Sequence, residues 1–216
     1  MVGSAADALN WVVSFDAMRV RREVDQLRAR FPAASSHELA EQAFSDARLQ
    51  VIAAGAVMGL AANPVLSLAG AVADLSVTTR TQVFAAACAA ELILPGFLDR
   101  DSARLELLVP VFGTSVLSQL GVEVGLRMAQ SATRQVVRQL IDQGGLQLIN
   151  AVLTRVFGRR VTQRALLTKT VPLVGCVIGG TWNAIEVRMI RNRTLRYLSD
   201  QAMDSIELVD VQVVQA

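Results

Sequence analysis

From Val51 to Ala73 the chain runs for 23 residues without a charge, VIAAGAVMGLAANPVLSLAGAVA. A run of that length passes the point at which a transmembrane helix is considered. Asn63-Pro64 sits in its middle. Proline has no amide donor, clashes with the preceding turn and pushes its predecessor out of the helical region. Each half is then about a dozen residues, which at about 1.5 Å per residue falls short of a bilayer. The pattern predicts a helix–turn–helix hairpin rather than a single span. Its second arm runs from Pro64 to about Leu94, and the hairpin packs in a core or dips into a membrane.

A second apolar segment, TVPLVGCVIGGTWNAI at residues 170–185, repeats the type: a proline, spaced glycines, then a polar residue. The pairs Gly55/Gly59, Gly121/Gly125 and Gly175/Gly179 each place two glycines on one helix face. A glycine inside a helix costs close to 1 kcal/mol relative to alanine, and close approach of another helix is the expected compensation. Hydrophobic residues make up 52% of the chain and charged residues 19%, against about a quarter in ordinary soluble domains. Such a chain buries an unusual share of itself or meets lipid.

The remaining periodicities are helical. Trp11, Phe15, Met18, Val24, Leu27 and Phe31 predict a helix over 5–30, ended by Pro32. Ser35 and Glu38 form a capping-box pattern. They precede a helix whose apolar stripe is Ala40, Ala43, Phe44, Ala47 and Val51. Pro95-Gly96 breaks the chain, and a helix near 101–119 carries Pro110. Further helices are expected over 121–142 and 146–157, then a short one to about Thr170 and a long one over 181–203. The alternation in Val209–Val213 suits a short extended tail. The expected fold is all-α, a single compact helical domain with two Gly/Ala-rich apolar hairpins. Its parts are an N-terminal helix in 1–35, the main domain in 36–203 and a tail in 204–216.

The net charge of +2 argues nothing about nucleic acid, but nine basic residues and one acid, Glu186, lie between Arg155 and Arg196. That local excess suits phosphates, whether of lipid headgroups or of nucleic acid. A solvated helix surface is the plain alternative. Cys88 and Cys176 sit among small apolar residues and are expected to be buried thiols of a reducing compartment. The opening MVGSAADALNWVVSFD lacks a basic leader and carries Asp7 and Asp16, so no secretory signal is expected.

Enzyme signatures are sparse. The single histidine, His37, falls in a helix-cap region and is expected at the surface. One histidine and two distant cysteines do not make a zinc site, and no P-loop, dinucleotide fingerprint or nucleophile elbow occurs. No metal and no cofactor is expected. The polar residues that follow the apolar segments are the candidates. A buried Asp74 needs a donor such as Arg80 or the Asn183 amide. Such a bond either fastens one hairpin to the other or marks a polar handle in an apolar cavity. Glu91, Glu123 and Glu186 are secondary candidates.

Residues 167–198, LTKTVPLVGCVIGGTWNAIEVRMIRNRTLRYL, resemble the C-terminal signature of the bacterial EcsC family. Pro172, Gly175, Gly179, Gly180, Asn183 and Arg188 fall on its pattern, while bulky Trp182 departs from it. Residues 55–82 resemble that family's first hairpin, with Asp74 at its acidic position. The resemblance covers roughly 36–200. It implies a bacterial, helical, membrane-associated protein and no catalytic mechanism.

Together these features point to a protein of the cytoplasmic face, peripheral to or shallowly inserted in the inner membrane. It is expected to bind anionic lipid or a membrane protein, with Asp74, Arg80, Asn183, Arg188 and Arg191 as ligand-binding candidates, and a second copy of the chain is the other candidate partner. The alternative is an enzyme or carrier with an apolar cavity for a lipid or isoprenoid ligand. There Asp74 acts as acid or anchor and the arginines hold a phosphate or diphosphate head, with Asn183 and Glu91 as the other catalytic candidates. Nucleic acid is not an expected partner, because the aromatic interleaving of single-strand binders is missing.

Overall fold

Asp16 starts the first described helix in the computed structural model, which describes residues 14–60, 67–112 and 183–203, the side chains of 55–60, 67–74 and 105 excepted. Its backbone is extended, and its carboxylate accepts from the N–H groups of Met18 at 2.9 Å and Arg19 at 3.4 Å. This cap satisfies donors that a helix start leaves open. Helix α1 therefore spans Ala17–Arg30, and the helix expected over 5–30 does not include residues 14–16, while 5–13 lie outside the described residues. The cap also sets the phase. Val20, Val24 and Leu27 are buried, while Met18, about 200° round from Val20, is exposed. Phe31, expected on the buried stripe, is exposed at the helix end before Pro32.

Helix α2, Ser36–Leu60, opens with the predicted capping box. The Ser35 N–H donates to Glu38 Oε2 at 2.7 Å, and the Glu38 N–H donates to Ser35 Oγ at 3.3 Å. The expected stripe of Ala40, Ala43, Phe44, Ala47 and Val51 is buried throughout. Helix α3, Ser67–Ile93, packs along α2, so the first apolar segment does form a hairpin. Residues 61–66, with Asn63-Pro64, lie outside the described residues. No described helix is long and apolar enough to cross a membrane.

Helix α3 is central: it contacts α1, α2, the short helix Phe97–Asp99 and α4 (Ala103–Phe112). The reason is local. The run Ala85-Ala86-Ala87-Cys88-Ala89-Ala90 is buried at every position. A helix hydrophobic all round belongs inside, and small side chains let neighbours approach from every side. Leu94 follows, and the predicted break at Pro95-Gly96 is a turn in which Gly96 has φ +80°, the left-handed conformation that favours glycine. Phe97 then drops into the core. Helix α4 contains Pro110, as expected, and buries Leu107, Leu108, Val111 and Phe112.

A further helix occupies residues 183–203. Its inward face follows a three–four spacing: Asn183, Val187, Ile190, Thr194, Leu198 and Gln201, all buried. These apolar residues join those of α1 to α4 in one core. All described elements are helical, with no strand among them, as an all-α fold requires. The helices expected over 121–142 and 146–157, the second apolar segment as far as Trp182, Cys176, Glu123 and the tail 204–216 lie outside the described residues.

Candidate functional site

Two grooves flank the buried stripe of α2. On one side Glu41, Phe44, Ser45 and Arg48 face Val187, Arg188 and Arg191 of the 183–203 helix across a groove of about 340 Å³. Helical spacing puts Ala43, Asp46, Ala47 and Gln50 on the other side of α2. There they line a groove of about 440 Å³ with residues of α1 and α3.

The first groove brings three arginines from two helices together. Arg48 and Arg188 are exposed, Arg191 is half-buried, and none of the three forms an ion pair among the described residues. Arg191 Nε and Nη2 donate to Asn192 Oδ1 at 3.2 and 3.0 Å, which fixes the plane of its guanidinium. The sequence-predicted pair Arg188 and Arg191 thus shares one site, joined by Arg48, which sequence reasoning missed. Arg48 lies outside the basic 155–196 stretch, and only the packing of α2 on the 183–203 helix reveals it.

The second groove is of mixed charge. Arg19 and the predicted Arg80 share it with Asp16, Glu23 and Asp46. Arg19 stacks over the Phe84 ring, 5.1 Å from its centroid. Cys88 lines its base as a free, buried thiol. Burial pushes that thiol up to about 12, with Glu23 adding to the effect and Arg19 opposing it. It is protonated at neutral pH and is no nucleophile there.

Asn183 stands apart from the arginines, on the buried face. It is 1% exposed, and its amide donates to the Val51 carbonyl at 3.3 Å and to Thr78 Oγ1 at 3.5 Å. It therefore ties the 183–203 helix to both arms of the hairpin, the fastening that its place after an apolar segment suggests. The side chain of Asp74 lies outside the described residues. Glu91 is at the far end of α3, where its carboxylate accepts from the N–H groups of Gly96 at 3.4 Å and Leu98 at 3.3 Å and pairs with Arg21 at 3.6 Å. It clamps the Pro95-Gly96 turn. Glu186 is buried and His37 is exposed.

A second polar cluster also went unread. Glu106 accepts from Gln201 Nε2 at 3.0 Å and from the Ser102 hydroxyl, and lies 3.7 Å from Arg100, which also donates to Gln201 Oε1 at 3.3 Å. It locks the end of the 183–203 helix to the first turn of α4. Gln201 lies eighteen residues, five turns, beyond Asn183, and that register is the signal that finds it. Among the described residues no group of acidic, cysteine and histidine side chains is arranged to hold a metal.

No family model, curated protein or solved structure matches this chain.

Proposed function

We propose that this is a helical protein peripheral to the cytoplasmic face of a bacterial inner membrane, which binds anionic lipid through the outer face of the 183–203 helix. The observation that carries the reading is the make-up of that face. Ile185 and Met189 are each 50% exposed and Met203 is 59% exposed. Ile185 and Met203 are five turns apart and so project in the same direction. Exposed Arg188 and Arg196 lie among them. Exposed apolar side chains at both ends of a face that carries arginines suit a helix lying in the headgroup region, where apolar area and attraction to anionic lipid add. The resemblance of residues 55–82 and 167–198 to the EcsC family points the same way. No reaction is assigned.

Vesicle flotation tests this. The protein should float with phosphatidylcholine vesicles that contain phosphatidylglycerol, far less with phosphatidylcholine alone, and less again in about 0.5 M salt, which screens exposed charge. The double variant Ile185→Ser/Met189→Ser should lose flotation while keeping its helical circular dichroism. Wild-type protein left entirely unbound by both vesicle types overturns the proposal.

A further inference from the structure

The groove between α2 and the 183–203 helix carries more charge order than a solvated surface requires. Three guanidinium groups, Arg48, Arg188 and Arg191, line one groove of about 340 Å³ with a single carboxylate, Glu41. Their balance is +2, the complement of a phosphate dianion. Like charges gathered from two separate helices repel one another, and nothing in the ion pairs of the described residues offsets that repulsion. Guanidinium groups offer forked donors matched to phosphate oxygens. Arg191 is already oriented by Asn192, so less side-chain freedom is lost when it binds. Ser45 adds a hydroxyl at the same wall, and Phe44 and Val187 make an apolar floor. The volume lies within the range of small-ligand sites.

The geometry points to a binding site for a phosphate group in this groove, held by Arg48, Arg188 and Arg191. A lipid headgroup and a free phosphate ester present the same chemistry. The lipid source rests on the membrane reading above, whereas the site itself rests only on the groove. Arg188 belongs both to the groove and to the exposed face of its helix, so a headgroup at a membrane surface would meet the groove through it.

The test uses the full chain, with inorganic phosphate titrated by calorimetry in one arm and vesicles in the other. The vesicles carry phosphatidic acid or phosphatidylglycerol at matched surface charge. Wild-type protein should bind phosphate, or prefer phosphatidic acid vesicles, and Arg48→Gln and Arg188→Gln should each weaken that binding by about tenfold, the loss of one charge-assisted hydrogen bond. Arg22→Gln, an exposed arginine of α1 away from the groove, serves as the charge-matched control and should change it by less than about twofold. All three positions are at the surface or its edge, and circular dichroism melts check that folding is kept. Binding in both arms, each sensitive to Arg48, identifies a general phosphate site; sensitivity in the vesicle arm alone identifies a headgroup site. No phosphate binding together with no preference for phosphatidic acid overturns the proposal, as does equal loss in Arg22→Gln. Flotation lost in the Ile185→Ser/Met189→Ser variant with Arg48-dependent phosphate binding intact separates the two readings, since the site then stands without the apolar face. Wild-type protein that never floats but binds phosphate through Arg48 removes the membrane reading and keeps the site.

Discussion

At the scale of single residues, two buried amides on neighbouring helices have opposite standing. Asn183 donates twice, to the Val51 carbonyl and to Thr78, and so joins three helices. Gln82, one turn along α3 from Thr78, is fully buried with neither amide atom hydrogen-bonded. A buried polar group that bonds offsets its desolvation, and one that does not bears the full cost. Asn183→Leu should therefore destabilise the fold by about 1–2 kcal/mol, and Gln82→Met, close in volume, should stabilise it by about 1 kcal/mol. Urea unfolding measures both. Two substitutions that each replace a buried amide by an apolar side chain should then shift the midpoint in opposite directions, and a shift in the same direction would show that hydrogen bonding does not set the sign. Asn183 was legible in the sequence as a polar residue ending an apolar run. Gln82 was not, because it sits within a helix between charged Arg80 and the alanine run, and its burial depends on partners distant in sequence.

At the scale of elements, starts and stops were the most legible features, since they rest on chemistry within a few residues. The α2 capping box is built entirely from Ser35 to Glu38, and it forms as its spacing requires. The α1 start was misread for a related reason. The apolar period through Phe15 and Met18 suggests continuity, but the Asp16 carboxylate takes the amides of Met18 and Arg19, so the helix begins after it. For α2, the Ser35 backbone N–H, and then its hydroxyl, hold the Glu38 carboxyl below the ordinary carboxylate range. A carboxyl whose value is lower in the folded than in the unfolded chain stabilises the fold above the unfolded value. That contribution is lost as pH falls through the folded value. Ser35→Ala should cost about 1 kcal/mol at neutral pH. Glu38→Gln keeps a side-chain acceptor but no charge, so its deficit against wild type should narrow as the pH falls below the ordinary carboxylate range. Thermal melts across acid pH would read this, and a deficit that stays constant or grows would contradict the assignment.

At the scale of the molecule, the first hairpin was legible because proline and an uncharged run are written in the sequence, whereas the arginine groove was not. Arg48 and Arg188 are 140 residues apart in the chain, and only the placing of the 183–203 helix against α2 makes them neighbours. What permits that placing is α3. Its run of alanines around Cys88 presents almost no side-chain relief, so α1, α2 and α4 approach it from different sides at once. Packing this close leaves no room for added volume: extra methylenes in a well-packed core force side chains off their rotamers and shift backbones. Ala89→Leu, at a position with no exposure, should therefore destabilise by about 1–3 kcal/mol, although leucine is an excellent helix former and more hydrophobic than alanine. The same change at exposed Arg22 should cost less than about 0.5 kcal/mol. Denaturant unfolding of the two variants separates the explanations. If Ala89→Leu were neutral or stabilising, the space around α3 would be looser than its full burial implies, and its role as the helix on which the others are ordered would fall. If the loss is found, the alanine run of α3 is explained by packing within the protein rather than by contact with lipid.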